Sequence, residues 1–405
     1  MLQWTEEQLI YRRAVRRFVE SAIVPQREAL EFEGRPPYDI LRQFYAEFGV
    51  GESAMERFEA ILSGGPKPPG SAAEKLIPLV EFARCSPGLA VALGTSIDLT
   101  AGAILRDGSD EQKRRWAPDL LTLRKIGAWA ITEPESGSDA FGGLRSTAKP
   151  VDGGWVLNGN KTFISNGPYA DIIVFICKLD DGSEIDRRQR PIMTFVLERG
   201  MSGLLQSKPL RKMGQHSSPT GELSLEDVFV SEDRLLAGTR RSSTTSSEGR
   251  GKRGSSSASS TFAMERASIA ATALGIIERC LELSVDYAKT RVQFGRPIGD
   301  YQLIQLKLAK MEIARMNTEM LLLQYMSKAD AGVRPTLAEA SASKLYAAQA
   351  AMEVSLEAVQ VFGGNGYMAE NHVEQLCRDA KVLQIYGGTD EIQVRAIAKD
   401  LIGRH

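Results

Sequence analysis

The stretch of sequence that decides the fold reads Trp129-Ala130-Ile131-Thr132-Glu133-Pro134-Glu135-Ser136-Gly137-Ser138-Asp139. It places three hydroxyl residues and a glycine in a turn-rich loop, and near this loop the hydrophobic pattern changes from helical to strand-like. Such loops bring backbone N–H groups and short side chains close to a flat, polar ligand. Taken by itself, the loop would be interpreted as an ordinary surface turn.

Before this loop the chain has a helical pattern. Leu9, Phe18 and Ile23 recur near helical spacing, and Pro25 ends that stretch. A region rich in Gly and Pro interrupts the pattern before further helices. Residues 1–125 are therefore predicted to form an N-terminal α-helical domain.

After the loop the pattern becomes that of short strands. Trp155-Val156-Leu157 and Lys161-Thr162-Phe163-Ile164 flank Asn158-Gly159, which predicts a hairpin because Asn-Gly supplies the positive φ of a tight turn. Three further apolar runs predict strands: 171–179, 192–197 and 223–230. Residues 126–239 are therefore predicted to form a middle β domain.

Helical spacing returns from Phe262 onward. Ile269, Ala273 and Ile277 follow one helical face, and the pattern recurs farther along the chain. Residues 262–405 are therefore predicted to form a C-terminal α-helical domain. The order of helices, strands and helices predicts an α+β fold with segregated domains rather than a doubly wound sheet.

Between the last two domains lies a segment, 240–261, that is rich in Ser, Thr, Gly and Arg. It has no apolar periodicity, and we expect a flexible loop because few apolar groups offset the entropy of ordering. Its basic residues could attract phosphates, but a solvated, flexible linker is the favoured interpretation.

Composition excludes several classes of function. The 405 residues are 43% hydrophobic and 25% charged, with 50 basic against 51 acidic residues, so whole-chain charge suggests no attraction to nucleic acid or to an anionic membrane. No apolar run of about 18 residues is present, which predicts no transmembrane helix. The first residues do not resemble a signal peptide, and scattered cysteines favour a cytoplasmic protein. The three histidines have no metal-ligand spacing, so no metal site is expected.

Five blocks along the chain, in colinear order, resemble the acyl-CoA dehydrogenase family. The first is Thr132-Glu133-Pro134 with Gly137-Ser138-Asp139, and the others are 158–167, 291–298, 360–367, and 378–381 together with 384–393. Each glycine motif alone would be weak, but together they span essentially the whole chain. The resemblance implies a middle domain of β-barrel or sandwich type and a C-terminal domain like a four-helix bundle.

The resemblance also implies noncovalent FAD and the residues that bind it. Positions that match contacts within one subunit are Trp129, Ile131, Thr132, Gly137, Ser138, Phe163, Ile164, Ser165, Thr389 and Glu391. Positions that match contacts with the FAD of a neighbouring subunit are Arg291, Gln293, Phe294, Gln360, Gly363 and Gly364. Ser165 replaces a commoner threonine and keeps a hydroxyl. Ser138 and Arg266 match substrate contacts, with an ordinary surface arginine as the alternative for Arg266.

The catalytic base is the point at which this chain departs from the commoner family pattern. Many members carry the catalytic glutamate where this chain has Gly387, which cannot take a proton but retains its backbone N–H for the thioester oxygen. A minority, including isovaleryl-CoA and long-chain types, place the base at a Glu-Arg position that matches Glu265-Arg266. Glu265 is therefore the predicted base. The alternative is a solvated glutamate in the first turn of a helix.

Three functions follow from the resemblance. The first is FAD-dependent α,β-dehydrogenation of an acyl-CoA, with a glutamate taking the α-proton, flavin N5 taking the β-hydride and an electron-transfer flavoprotein as acceptor. The second is the same reaction on an acyl group bound to a carrier protein. The third is a flavin-binding homologue without dehydrogenase activity. A homotetramer is expected in each case, since two of the matching blocks reach a neighbour's FAD.

Overall fold

The computed structural model describes residues 2–65, 70–238, 250–333 and 335–403, and for residues 250–263 it describes the backbone alone. The helices that precede the sheet are α1 (Glu6–Phe18), α2 (Arg27–Phe32), α3 (Tyr38–Glu47), α4 (Val50–Ser63), α5 (Ala72–Ala83), α6 (Gly88–Gly94), α7 (Gly102–Asp107) and α8 (Asp110–Leu121). A π-helical segment, Thr95–Ala101, joins α6 to α7 without a break. The predicted helical character of this part of the chain is confirmed.

The middle of the chain forms one seven-stranded sheet in the described residues. Its strands are β1 (Gly127–Ala130), β2 (Thr147–Val151), β3 (Gly154–Ser165), β4 (Ile172–Leu179), β5 (Ile192–Glu198), β6 (Leu204–Gln206) and β7 (Thr220–Ser231). The order is β1-β4-β2-β3-β7-β6, with β5 on the other edge of β4. Most neighbours are antiparallel, but β4 runs parallel to β1 and β2. One face of the sheet packs its apolar side chains into a core of its own.

The remaining helices follow the sheet. They are α9 (Arg250–Thr290), α10 (Gln302–Asp330), α11 (Leu337–Phe362), α12 (His372–Lys381) and α13 (Asp390–Ile402). Between α9 and α10, β8 (Val292–Gln293) and β9 (Arg296–Pro297) form a two-stranded hairpin. Ala267 and Leu274 of α9 pack into the same core as the N-terminal helices, so the first and last domains share buried apolar surface. The α+β fold class is confirmed.

The predicted hairpin at Asn158-Gly159 is wrong. These residues lie inside β3, which continues through them with a shift of register against β7. A Cβ on Gly159 would lie 2.2 Å from Ser146 Oγ, so glycine here permits a close approach inside an irregular strand. The chain instead turns at Gly153, whose φ is 74°, between β2 and β3.

The predicted flexible loop at 240–261 is corrected in its second half. Residues 239–249 lie outside the described residues, but the backbone is helical from Arg250 onward, as the start of α9. Once a helix has been nucleated by packing, each further residue adds a backbone hydrogen bond. An apolar pattern is therefore not required for the helix to continue through these residues, which contain no proline.

The apolar helix Gly88–Asp107 meets the length and composition of a membrane-spanning helix, with a mean hydropathy of 1.6. Length and composition alone do not distinguish a membrane-spanning helix from the core helix of a folded domain, so the expectation of no transmembrane helix stays a prediction. More than half of the segment is buried inside the protein, and Leu89 and Ala92 belong to the core of the N-terminal helices. Burial of this kind is typical of a core helix.

We predict that Lys161→Met lowers the free energy of unfolding by about 3–5 kcal/mol, because it leaves the buried carboxylate of Glu133 without its partner. Lys161 Nζ lies 2.8 Å from Glu133 Oε1, and both side chains are almost fully buried. The melting temperature measures the effect. Lys149→Met, at an exposed position of β2, is the matched control, and equal melting temperatures for the two variants would contradict the prediction.

Candidate active site

A cleft of about 890 Å³ opens between the N-terminal helices, the sheet and the C-terminal helices. It brings together residues that are widely separated along the chain. The predicted site residues that line it are Trp129, Ile131, Thr132, Gly137, Ser138, Phe163, Ile164, Ser165, Glu265, Arg266, Gly387 and Thr389.

The loop after β1 is held in place by the buried ion pair of Glu133 and Lys161. Glu133 accepts hydrogen bonds from the backbone N–H groups of Arg145 and Ser146, and Lys161 Nζ donates to the carbonyl of Ile131 at 3.1 Å. Burial favours the neutral form of Glu133, but Lys161 and these donors outweigh it and hold the pKa of Glu133 below its usual range. Glu133 is therefore a structural carboxylate that orients the loop.

Phe163 presents an exposed aromatic ring at the same side of the cleft. Its φ is 56°, at an irregularity in the pairing of β3 with β7, and 68% of the residue is exposed. A left-handed conformation at a bulky residue costs about 1–2 kcal/mol. The exposed ring lines the cleft and is open to a ligand there.

Glu265 and Gly387 meet across the cleft. A Cβ at Gly387 would lie 3.7 Å from the carboxyl carbon of Glu265 and 2.3 Å from Cδ1 of Ile269. The space that a side chain at position 387 would enter is therefore occupied by the Glu265 and Ile269 side chains of α9. Gly387 also has a φ of 63°, which L-residues rarely adopt.

The carboxyl of Glu265 is poised near neutrality. Burial raises its pKa from 4.5 to about 7, while Arg266 and Lys344 act in the opposite direction. Within the described residues the side chain accepts no hydrogen bond. A carboxyl in this state can bind and release a proton near physiological pH.

The turn at Gly387-Gly388 is pinned through its carbonyl groups. Gln393 Nε2 donates to both carbonyls, at 3.0 and 2.7 Å, and Lys344 Nζ donates to that of Gly388 at 2.9 Å. The N–H of Gly387 donates to no acceptor in the described part of the chain. It is therefore available to a ligand in the cleft.

Comparison with known proteins agrees with this geometry. Family models described as the N-terminal, middle and C-terminal domains of acyl-CoA dehydrogenase match residues 5–124, 128–228 and 252–402. An acyl-CoA dehydrogenase of Bacillus subtilis (strain 168) is 36% identical over 399 residues, which cover 98% of this chain and 99% of the relative. The chain belongs to the acyl-CoA dehydrogenase family.

Two further relatives cover almost all of the chain. A mitochondrial isovaleryl-CoA dehydrogenase of Arabidopsis thaliana is 33% identical over 403 residues, 99% of this chain and 92% of the relative. The solved structure of butyryl-CoA dehydrogenase from Megasphaera elsdenii superposes with a TM-score of 0.85 at 31% identity and covers 99% of both chains. This chain is therefore similar over its whole length to members that carry different names.

Membership of the acyl-CoA dehydrogenase family makes this chain an FAD-dependent oxidoreductase, and the cleft fits the cofactor. No atom lies within 4 Å of the position that a Cβ on Gly137 would take, so the backbone there is open to a close ligand. Ser138 beside it is exposed, and Ser165 is partly exposed. With the ring of Phe163, these residues offer hydroxyl and N–H donors and one flat apolar surface, as a flavin requires.

Arg266 lines the acyl-CoA dehydrogenase cleft, yet its guanidinium turns toward α11. Nη1 donates to Ser341 Oγ at 2.8 Å and to the carbonyl of Leu337 at 3.3 Å, and the residue is buried. The alternative interpretation of Arg266 as an ordinary surface arginine is therefore wrong. Substrate contact by Arg266 stays a prediction, and the observed bonds show that it also ties α9 to α11.

Some predicted FAD contacts lie outside the cleft. All of these residues are exposed: Arg291, Gln293, Phe294, Gln360, Gly363, Gly364 and Glu391. Phe294 occupies the tip of the β8–β9 hairpin and is 94% exposed. Thr389 lines the cleft, and its hydroxyl also accepts a hydrogen bond from the N–H of Ile392 at the start of α13.

Four residues of the site were missed from the sequence. Ile269, Lys344 and Gln393 shape the turn at Gly387, and Asp98 lines the cleft from the helix that joins α6 to α7. The helical spacing of the sequence assigns Ile269 only to one face of a helix. For Asp98 a signal was present, since an acidic residue interrupts an otherwise apolar helix.

We predict that Glu265→Gln raises the melting temperature of the FAD-loaded protein more at about pH 8 than at about pH 5. Between 4.5 and about 7, the folded state keeps a proton on Glu265 that the unfolded state has released, so the parent loses stability as pH rises through this window. Glutamine removes that loss. Glu353→Gln, at an exposed position of α11, is the control. The same change in melting temperature at both pH values would contradict a raised pKa.

Proposed function

We propose that this acyl-CoA dehydrogenase uses Glu265 as the base that removes the α-proton of its acyl thioester. The observation that carries the proposal is the contact between the Glu265 carboxyl and the position above Gly387, where the commoner family pattern has its glutamate. A carboxyl on α9 thus reaches the place that a side chain at position 387 would reach. Its raised pKa suits a base that works near neutral pH.

Three other carboxylates near the site, those of Glu133, Asp139 and Asp390, are less suited to this role. Glu133 is neutralised by Lys161, and Asp139 is exposed and lies 2.7 Å from Arg188. Asp390 faces Lys344 at 3.4 Å. A carboxylate that is already paired is a weak base because its charge is stabilised in the resting state.

The thioester carbonyl must be polarised while the α-proton leaves, because that proton is only weakly acidic. We assign this role to the N–H of Gly387, because the bonds of Gln393 and Lys344 to the carbonyls of Gly387 and Gly388 hold the turn in place. FAD supplies the acceptor for the hydride that leaves Cβ. Trp129, Thr132, Ser138 and Ser165 would hold the flavin on the side of the cleft formed by the sheet.

We predict that Glu265→Gln keeps FAD and slows reduction of the flavin by about 10²–10⁴-fold, the usual weight of general base catalysis. Anaerobic bleaching of the flavin with saturated acyl-CoA thioesters of graded length and branching measures the rate. Glu353→Gln should match the parent. A parent-like rate in Glu265→Gln with a good substrate would remove Glu265 from this role.

A carboxylate moved back to position 387 should recover part of the rate. Gly387→Glu in the Glu265→Gln background would collide with Cδ1 of Ile269, so Ile269→Ala is added to make room. Recovery in this triple variant, and less without Ile269→Ala, would support one reaction site that two helices can serve.

The same acyl groups offered on CoA and on a carrier protein decide which thioester the enzyme accepts.

We further propose a homotetramer that passes its electrons to an electron-transfer flavoprotein. Support for assembly comes from exposed apolar side chains along α10: Leu303, Leu306, Ile313, Met316 and Met320. The tip of the β8–β9 hairpin adds Phe294, which is 94% exposed. Exposed apolar surface of this extent is typical of a protein interface.

We predict that Phe294→Asp weakens both assembly and retention of FAD, because this tip would enter the site of a neighbouring subunit. Sedimentation followed at the flavin absorbance reports both quantities. Phe229→Asp, an exposed aromatic residue of β7, is the matched control. A parent protein that sediments as a monomer with tightly held FAD would defeat the assembly proposal.

A further inference from the structure

The helix that runs through α6, the π-helical segment and α7 presents one regular face to the cleft. Val91, Gly94, Thr95, Asp98 and Leu99 line it, with the three- and four-residue spacing of a single helical stripe. Across the cleft, α9 presents a second stripe with the same spacing: Met264, Glu265, Ser268, Ile269 and Thr272. An acyl chain whose α-carbon lies at Glu265 would extend between these two faces.

Asp98 is the one acidic residue in the first stripe, and it has almost no partner. Lys75 Nζ lies 3.9 Å from Oδ1, beyond hydrogen-bond distance, and no donor in the described part of the chain bonds to the carboxylate. Its side chain is 24% exposed. Because Asp98 lines the cleft, the carboxylate is open to a ligand there.

The surroundings of Asp98 do not explain its presence. Its neighbours in the stripe are apolar or small, and the hydroxyls of Ser268 and Thr272 opposite donate to carbonyls of their own helix. Tyr45 and Tyr325 are close enough for the charge of Asp98 to add to the effect of burial, which raises the pKa of both phenols. Neither phenol hydrogen-bonds to Asp98 in the described structure. A carboxylate in a mostly apolar cleft lining without hydrogen-bond donors costs free energy. A ligand group that donates a hydrogen bond to it would offset this cost.

The backbone around Asp98 is also unusual. Thr95–Ala101 forms a π-helix, and Thr100 Oγ1 donates to the carbonyl of Thr95 at 2.8 Å inside it. Segments of this kind are rare, and they occur frequently at functional sites because the extra residue in the turn redirects side chains. Here the widened turn contains Asp98.

From this geometry we infer that Asp98 binds a hydrogen-bond donor carried by the acyl group of the substrate. The inference rests on the proposed function, since it needs the α-carbon to lie at Glu265. The substrate class is then an acyl thioester with a hydroxyl or ammonium group along or at the end of its chain. An acyl chain that ends in a carboxylate is disfavoured, because it would bring a second negative charge to Asp98.

The test compares four families of CoA thioesters with matched chain lengths: unsubstituted, ω-hydroxy, ω-amino and ω-carboxy acyl groups. Anaerobic flavin reduction gives kcat and KM for each. At the best length, we expect the hydroxy or amino series to exceed the unsubstituted series about 10–100-fold in kcat/KM, the weight of one hydrogen bond to a charged group. We expect the gain mainly in KM, as for an interaction that binds substrate and transition state alike.

Two variants make the comparison decisive. Asp98→Leu should lose the preference for donors and improve the unsubstituted series. Asp98→Asn should spare a hydroxyl and lose an ammonium, which distinguishes the two sources of the donor. Asp110→Asn, an exposed aspartate at the start of α8, is the control and should behave as the parent.

The possible outcomes distinguish a failure of this inference from a failure of the proposed function. If the parent and Asp98→Leu both reduce flavin with the unsubstituted series and show no difference in preference, Asp98 does not select the acyl group although the enzyme is a dehydrogenase. If Asp98→Asn abolishes reduction with every series, Asp98 takes part in the chemistry and the inference is wrong. If no series bleaches the FAD-loaded parent, the proposed function fails, and the inference fails with it.

Discussion

The approach of the Glu265 carboxyl to the bare backbone of Gly387 is the contact on which the rest of the site depends. It requires that α9 pass close to the turn before α13, and that position 387 have no side chain. The turn is stabilised by Gln393 and by the buried ammonium of Lys344, which bond to carbonyls, and no acceptor among the described residues bonds to the Gly387 N–H. The same crowding buries Glu265 and raises its pKa. Burial that costs stability in the folded protein thus provides a carboxyl that titrates near neutrality, a trade-off common at active sites.

The opposite wall of the cleft depends on a different buried charge. Lys161 and Glu133 hold the loop that follows β1, so that Gly137 and Ser138 face the cleft while the strands beneath them stay packed. This pair differs from Glu265 in being fully compensated: its hydrogen bonds lower the pKa of Glu133 and leave it charged. Two glutamates of one cleft therefore take different roles because their partners differ.

Much of this arrangement could be predicted from the sequence. The order of periodicities gave the α+β class, and the resemblance placed twelve residues that line one cleft. The failures have local causes. Asn158-Gly159 has the composition of a tight turn, but a close approach to Ser146, which periodicity does not encode, places it inside a strand. Arg250 and the residues after it lack apolar spacing, yet helix propagation does not require it. Asp98 and Ile269 belong to the site only through the packing of α9 against the apolar helix, a contact between distant segments that no local pattern reports.

The central claim is that Glu265 removes the α-proton, and exchange of that proton with solvent tests it most directly. The protein is held with its FAD reduced, so that no net dehydrogenation occurs, and the incorporation of deuterium from D₂O into Cα of a bound acyl-CoA is followed by NMR. If Glu265 is the base, exchange by the parent increases as pH rises through about 7, and exchange in Glu265→Gln is no faster than the spontaneous rate. Undiminished exchange in Glu265→Gln would contradict it.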